Sequence, residues 1–272
     1  MTHEDVQLAR AQRLGALRPA EITPAAMHAV LRELGCARLS ELAAALGGEP
    51  EAAAAPLEAE IAERRAVELA VWPGEFRYCA AELLGYLYVC VGDRNPLEDY
   101  KRQAAQRQLS WLASEAFAEL LASEGALTAG DLRARMGPGR ISILALERSL
   151  LELARTLKVL RTGRAPTDGA PLWQPLARAL PEIPGWVNQV SHNEAAAALL
   201  TQRLDLQVCE SEEKLEEYFS PLLSRVKIRA ALSGLEANRE VTPDSLDGRS
   251  AWRLREAAAP AGEPAKPVQG TT

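Results

Sequence analysis

The chain has 272 residues, 47% hydrophobic and 25% charged, a globular balance with room for two or three small domains. Alanine and leucine dominate and aromatics are 5%, so a mainly α protein with small β-hairpins is expected. No apolar stretch approaches the roughly 18 residues of a membrane span, and the polar start carries no secretion signal. The net charge of −6 is segregated: residues 1–100 hold 9 Lys/Arg against 16 Asp/Glu, 101–178 hold 12 against 7, and 179–272 hold 10 against 14. Only the middle of the chain has the local positive surplus that phosphate binding uses.

In chain order, residues 1–20 form a short leading helix from Asp5 to about Leu17. Residues 21–92 form a first module. Thr23–Pro24 opens it, threonine as cap and proline at the first helical position. Helices over 25–34, 39–46 and 50–65 follow, then a hairpin near 67–79 that turns at Trp72–Pro73–Gly74–Glu75. The run 83–91 is apolar throughout and fits a buried strand or a buried helix end.

Residues 93–180 form a second module: a long helix from Leu97 to about Leu121, helices over 128–136 and 141–157, and a hairpin of 159–161 with 172–174. Residues 181–256 form a third. A linker with Trp186 leads to a capping box at Ser191–Glu194. Helices over 194–206, 212–223 and 225–238 follow, then a hairpin turning at Asp247–Gly248. Residues 257–272 lack an apolar pattern and read as a disordered tail.

The first two modules share one phrase. Gly35–Leu42 and Gly125–Leu132 match in pattern 90 positions apart, as do Leu46 with Met136 and Gly47 with Gly137. Helix, turn, short helix, longer helix and two-stranded wing is the order of a winged helix-turn-helix, and its recurrence predicts a tandem array. In such modules the third helix enters the major groove and the wing lies along the backbone. The third helix of module one carries Glu51, Glu58, Glu60 and Glu63, which suit packing or a protein partner better than DNA. Modules two and three place cations at the equivalent positions. They are Arg133, Arg135, Arg140, Arg148, Arg155, Lys158, Arg161 and Arg164, then Arg225, Lys227 and Arg229. Ser142 and Ser149 add hydroxyl donors of the kind that reach phosphate oxygens.

Chemistry is sparse at this level. No phosphate loop ending in Gly-Lys-Ser/Thr and no Gly-x-Ser-x-Gly elbow is present. His3, His28 and His192 lie far apart, and Cys36, Cys79, Cys90 and Cys209 form no Cys-x-x-Cys pair. Neither a metal, a cofactor nor a disulfide framework is expected, and a reducing cytoplasm fits. The stretch Trp186–His192 offers amides, an imidazole and a stackable ring, but a linker anchor at Trp186, a helix cap at Ser191 and an exposed His192 account for it more simply.

The phrases at 35–46 and 125–136, with the stretch 144–160 running on to Leu172–Trp173, resemble the tandem winged-helix class of the bacterial crosslink-unhooking DNA glycosylases. They are similar also to the C-terminal winged-helix region of large helicase-related proteins. The resemblance implies a concave, partly basic scaffold for duplex DNA. Glycosylases of this class share a Gln–aliphatic–Gln catalytic motif (a relative has Gln or His, aliphatic, Asp). Here Gln106–Arg107–Gln108 has arginine in the middle and Gln189–Val190–Ser191 ends in serine. The expectation is therefore a non-enzymatic DNA-binding protein with no catalytic residue assigned. A glycosylase with a divergent site that uses Gln189 or His192, and a protein-interaction scaffold, are the alternatives.

Overall fold

A computed structural model describes residues 2–137, 139 and 141–255; the expected tail lies outside the described residues. The fold is mainly helical with small antiparallel sheets. The leading helix α1 (His3–Ala16) begins in a reciprocal box, Thr2 Oγ1 accepting from the Asp5 N–H and the Asp5 carboxylate from the Thr2 N–H. Among the described residues no helix is long and apolar enough to cross a membrane.

The first unit comprises α2 (Pro24–Leu34), α3 (Leu39–Leu46), α4 (Pro50–Ala62) and the hairpin β1 (Ala66–Leu69) with β2 (Arg77–Ala80). Thr23 caps α2 by accepting from the Ala26 N–H. Met27, Leu31, Leu42, Leu46, Leu57 and Ile61 close its core. The apolar run after it is a helix, α5 (Ala81–Val91). A helix apolar on all sides must be covered on all sides. Here Leu84, Leu87 and Tyr88 join a large shared core with the C-terminal third of the chain. Gly85 makes room for the linker: a Cβ there would lie 2.3 Å from the Trp186 indole, which stands edge-on to Tyr86.

The second unit differs from the expected long helix. The chain forms α6 (Asp99–Ala105) and then α7 (Trp111–Ala122), broken where Arg107 takes a left-handed φ of 59°. Ser110 restarts the helix, its hydroxyl accepting from the Ala113 N–H and donating to Glu152. Next come α8 (Ala129–Met136), α9 (Ile143–Arg155) and the hairpin β3 (Val159–Arg164) with β4 (Pro171–Pro175), closed over Phe117, Leu120, Leu132, Leu146 and Leu150. A single turn, α10 (Leu176–Ala179), and a 3-10 turn at Ile183–Asn188 lead onward.

The last unit runs α11 (His192–Gln207), β5 (Cys209–Ser211), α12 (Glu212–Phe219), α13 (Arg225–Ala237), β6 (Val241–Leu246) and β7 (Arg249–Leu254). The capping box at Ser191 and Glu194 is present. Asp247 and Gly248, at φ 49° and 79°, make the two-residue turn between β6 and β7. The short β5 pairs with the outer side of β7 and widens this sheet to three strands, in the order β5-β7-β6.

Helices followed by a hairpin therefore occur three times. Ala37 pairs with Tyr78 and Leu127 with Trp173, one residue pair tying each short helix to its hairpin. Their charges meet at a seam. Arg161 on β3, 5% exposed, reaches Glu58 of α4 at 2.7 Å and Glu68 of β1 at 2.7 Å. Nearby, buried Lys158 pairs with Asp93, which also accepts from Gln103.

Candidate active-site cleft

The predicted phosphate contacts divide sharply. Arg161 and Lys158 are buried in the ion pairs just described, so neither can reach a phosphate: carboxylates of the protein hold them. Arg133 is half-buried and donates to the Ile141 carbonyl at 2.9 Å. Arg164 is exposed but lies 3.3 Å from Glu58 and donates to the Gly169 carbonyl. Arg135, Arg148 and Arg155 are exposed on α8 and α9, while Arg140 lies outside the described residues. On α13, Arg225 and Arg229 share Glu216, and Arg229 also pairs with Glu212 at 2.8 Å. Lys227, between them in sequence, acts on His192 together with Arg94. Burial first, then these two cations, hold the His192 imidazole below its ordinary pKa. The serines do local work instead: Ser142 caps α9, and buried Ser149 donates to the Ala145 carbonyl.

Several carboxylates of the first unit are likewise paired within the protein. Glu60, fully buried, binds Arg65 at 2.6 Å and His28 at 3.1 Å, and Glu58 and Glu68 hold Arg161.

The most concentrated chemistry lies where the first hairpin meets the last unit. Side chains here come from the turn before β2 (Trp72, Glu75), from β2 (Arg77), α11 (Arg203), β5 (Glu210) and α12 (Lys214, Glu217, Tyr218). They enclose a cleft of about 330 Å³. The Pro73–Gly74 reversal, with Gly74 at φ 78°, brings Trp72 back against α12, and its indole N–H donates to the Tyr218 carbonyl at 2.9 Å. The Arg77 guanidinium lies 4.9 Å from the Trp72 ring and 4.5 Å from the Tyr218 ring. On the other side Arg203 sits 4.0 Å over Tyr218. Each cation is neutralised: Arg77 by Glu75 at 2.5 Å, and Arg203 by Glu210 through two bonds of 2.7 and 2.8 Å. Arg38 approaches Glu75 at 3.5 Å. Burial, then the neighbouring Cys36, holds the Tyr218 hydroxyl well above its ordinary pKa, and it donates to the Cys36 carbonyl at 2.8 Å.

The cleft is small and open, lined by paired ionised groups and two aromatic faces. A second cavity of about 530 Å³ lies across the strand. Phe76 and Tyr78, alternating with Arg77, face it together with Trp173, Glu147 and Asp168. There burial, then Glu68, pushes the Tyr78 hydroxyl up to about 12.

Comparison with known proteins decides the family. The family described as DNA glycosylase AlkZ-like matches residues 92–270. The chain belongs to the AlkZ-like DNA glycosylase family. That match overturns the expectation of a non-enzymatic DNA-binding protein, since membership brings a DNA substrate and a repair setting. No curated protein matches the chain. Among solved structures, the Streptomyces sahachiroi DNA glycosylase AlkZ is 17% identical, with 93% of this chain and 70% of that chain covered and a TM-score of 0.64. At that identity the likeness is one of fold. The DIP2311 protein from Corynebacterium diphtheriae is 14% identical over 79% of this chain and 39% of its own, with a TM-score of 0.21.

The family match includes Arg203, Glu210, Lys214, Glu217 and Tyr218, and starts after Trp72, Glu75 and Arg77. The glutamine triplets lie elsewhere. Gln106 ends α6 and Gln108 is exposed beyond it; Gln189 is exposed, and Ser191 caps α11. None of these four lines the cleft. Sequence reasoning missed the cleft because its walls come from stretches far apart in sequence, 72–77 on one side and 203–218 on the other. The one local signal was Trp72–Pro73–Gly74–Glu75, read only as a turn.

Proposed function

We propose that the protein is a DNA glycosylase that excises an alkylated or crosslinked base from duplex DNA, and that the Trp72–Tyr218 cleft is its active site. The observation that carries this is the family membership, joined to a cleft where carboxylates, guanidinium groups and aromatic rings converge. The three helix-and-hairpin units, 21–92, 93–180 and 181–256, act as winged helices along the duplex. Arg135, Arg148, Arg155, Arg164, Arg225, Lys227 and Arg229 supply backbone contacts. Four free thiols fit a reducing cytoplasm.

The chemistry needs little. Hydrolysis forms a bond from water oxygen to the sugar C1′ and breaks the bond to the base, which leaves with the electron pair. Positive charge grows on the sugar as that bond stretches, and a fixed carboxylate nearby stabilises it. Glu75, on the turn before β2 and beside Arg77 and Arg38, provides that carboxylate. Glu217 lines the cleft with no ion-pair partner among the described residues, and it takes the proton from water. The extruded base sits against the rings, as enzymes acting on a base in duplex DNA require.

The test is to incubate the protein with duplexes carrying N-alkylated purines or an interstrand crosslink and to score alkali-labile abasic sites. Abasic sites formed in proportion to enzyme are expected. A clean negative on both lesion types would remove the proposal.

A further inference from the structure

Two of the four cysteines are brought face to face. Ala37 and Tyr78 exchange both backbone hydrogen bonds, Ala37 N–H to the Tyr78 carbonyl at 2.9 Å and Tyr78 N–H to the Ala37 carbonyl at 2.7 Å. In an antiparallel pairing the residues on either side of such a pair lie opposite each other without hydrogen bonds, with their Cα atoms about 4.5 Å apart and side chains closest. On one side these are Cys36 and Cys79. That spacing sits at the short edge of the range a disulfide spans, about 4.4–6.8 Å. The two thiols are in contact, and Cys79 is completely buried while Cys36 is half-buried. Cys36 also borders a small cavity of about 20 Å³ shared with Gly35, Gln202 and Tyr218. A space of that size admits one molecule on the scale of water.

We propose that Cys36 and Cys79 are a reversible disulfide site, oxidised by small peroxides. The Cys36 sulfur attacks one peroxide oxygen, so an S–O bond forms, the O–O bond breaks and water leaves, giving the sulfenic acid. The Cys79 sulfur then attacks the Cys36 sulfur, so the S–S bond forms and a second water departs. Two electrons pass from the thiols to the peroxide. The order follows from access: Cys36 meets the reagent, and Cys79 lies behind it. Contact with Cys36 and burial both push the Cys79 thiol up, which keeps it protonated until that second step. In a thiol-rich compartment the pair is held reduced and responds only to an oxidant. The pair lies directly behind the cleft, since the Cys36 carbonyl anchors the Tyr218 hydroxyl. The inference does not depend on the glycosylase reading.

The experiment treats the folded full-length protein with hydrogen peroxide, blocks remaining thiols, and maps peptides by mass spectrometry. The expected result is loss of two hydrogens, a linked peptide pair holding Cys36 and Cys79, reversal by dithiothreitol, and alkylatable thiols at Cys90 and Cys209. In Cys36→Ser the link is absent and Cys79 remains a thiol. Cys36 halting as a sulfenic or sulfinic acid, a link to Cys90 or Cys209, or no reaction at all would overturn the proposal. Because wild type carries the decisive readout, a poorly folded variant leaves the result standing.

Discussion

The first and second units share a layout, down to the single residue pair that joins each short helix to its hairpin, yet they carry opposite charge. The first uses its carboxylates inward: Glu58 and Glu68 grip Arg161 of the second, and Glu60 binds Arg65. The second keeps Arg135, Arg148 and Arg155 on its surface. What the contrast teaches is that a charge count along the chain does not separate cations that hold units together from cations left for a ligand. Burial makes that separation.

The sharpest way to break this comparison is Arg161→Ala. It leaves the partly buried Glu68 carboxylate without its cation, while Glu58 keeps only the exposed Arg164, a change that costs up to about 3 kcal/mol. Urea unfolding should show it as a large fall in midpoint. Arg148→Ala, on the exposed face of the same unit, should stay within about 0.5 kcal/mol of wild type. Equal effects would mean the seam is not where the charge is spent.

A second test addresses the exposed set. Changing Arg135, Arg148 and Arg155 together to glutamate should weaken duplex binding more than about tenfold at low salt. It should also flatten the salt dependence, by about 0.9 in log–log slope for each phosphate no longer neutralised. Glu51→Gln in the first unit should leave both unchanged. Filter binding across a salt series reads both quantities, and an unaltered slope in the triple variant would remove these arginines from the DNA face.

Smaller effects sharpen the comparison at the short helices. Thr128 caps α8 fully, its hydroxyl accepting from the Asp131 N–H, whereas the matching position before α3 is Arg38, which has no side-chain cap bond to the helix. Thr128→Ala should cost about 1 kcal/mol, and Arg38→Ala less than half of that. The backbone bond from Thr128, then its hydroxyl, holds the Asp131 carboxyl below its ordinary value of 3.8. A depressed carboxyl contributes stability that is present above its unfolded value and lost as pH falls through the folded one. Thermal melts between about pH 5 and 2 should therefore lose a small stabilisation that Asp131→Asn has already given up.

Much of this fold was legible. The mainly helical class with small hairpins was readable from composition, and Ser191–Glu194 and Asp247–Gly248 placed a cap and a turn, because each acts through neighbours in sequence. Three features were hidden for physical reasons. The break before α7 uses an arginine at positive φ, where glycine would have announced it. Strand β5 is three residues long, too short for any period to register. The cleft depends on Arg77 and Arg203 meeting one tyrosine from segments more than a hundred residues apart, a relation that only tertiary packing creates.

The central claim is that carboxylates of the Trp72–Tyr218 cleft perform base excision. It is tested most directly by single-turnover excision of an N-alkylated purine from duplex DNA by wild type, Glu75→Gln, Glu217→Gln and the exposed control Glu51→Gln. The account predicts losses of at least about a hundredfold in the two cleft variants, the usual scale for removing a charge-stabilising or proton-accepting group, and no change in the control. Full excision by both cleft variants, each still folded and still binding duplex, would contradict it.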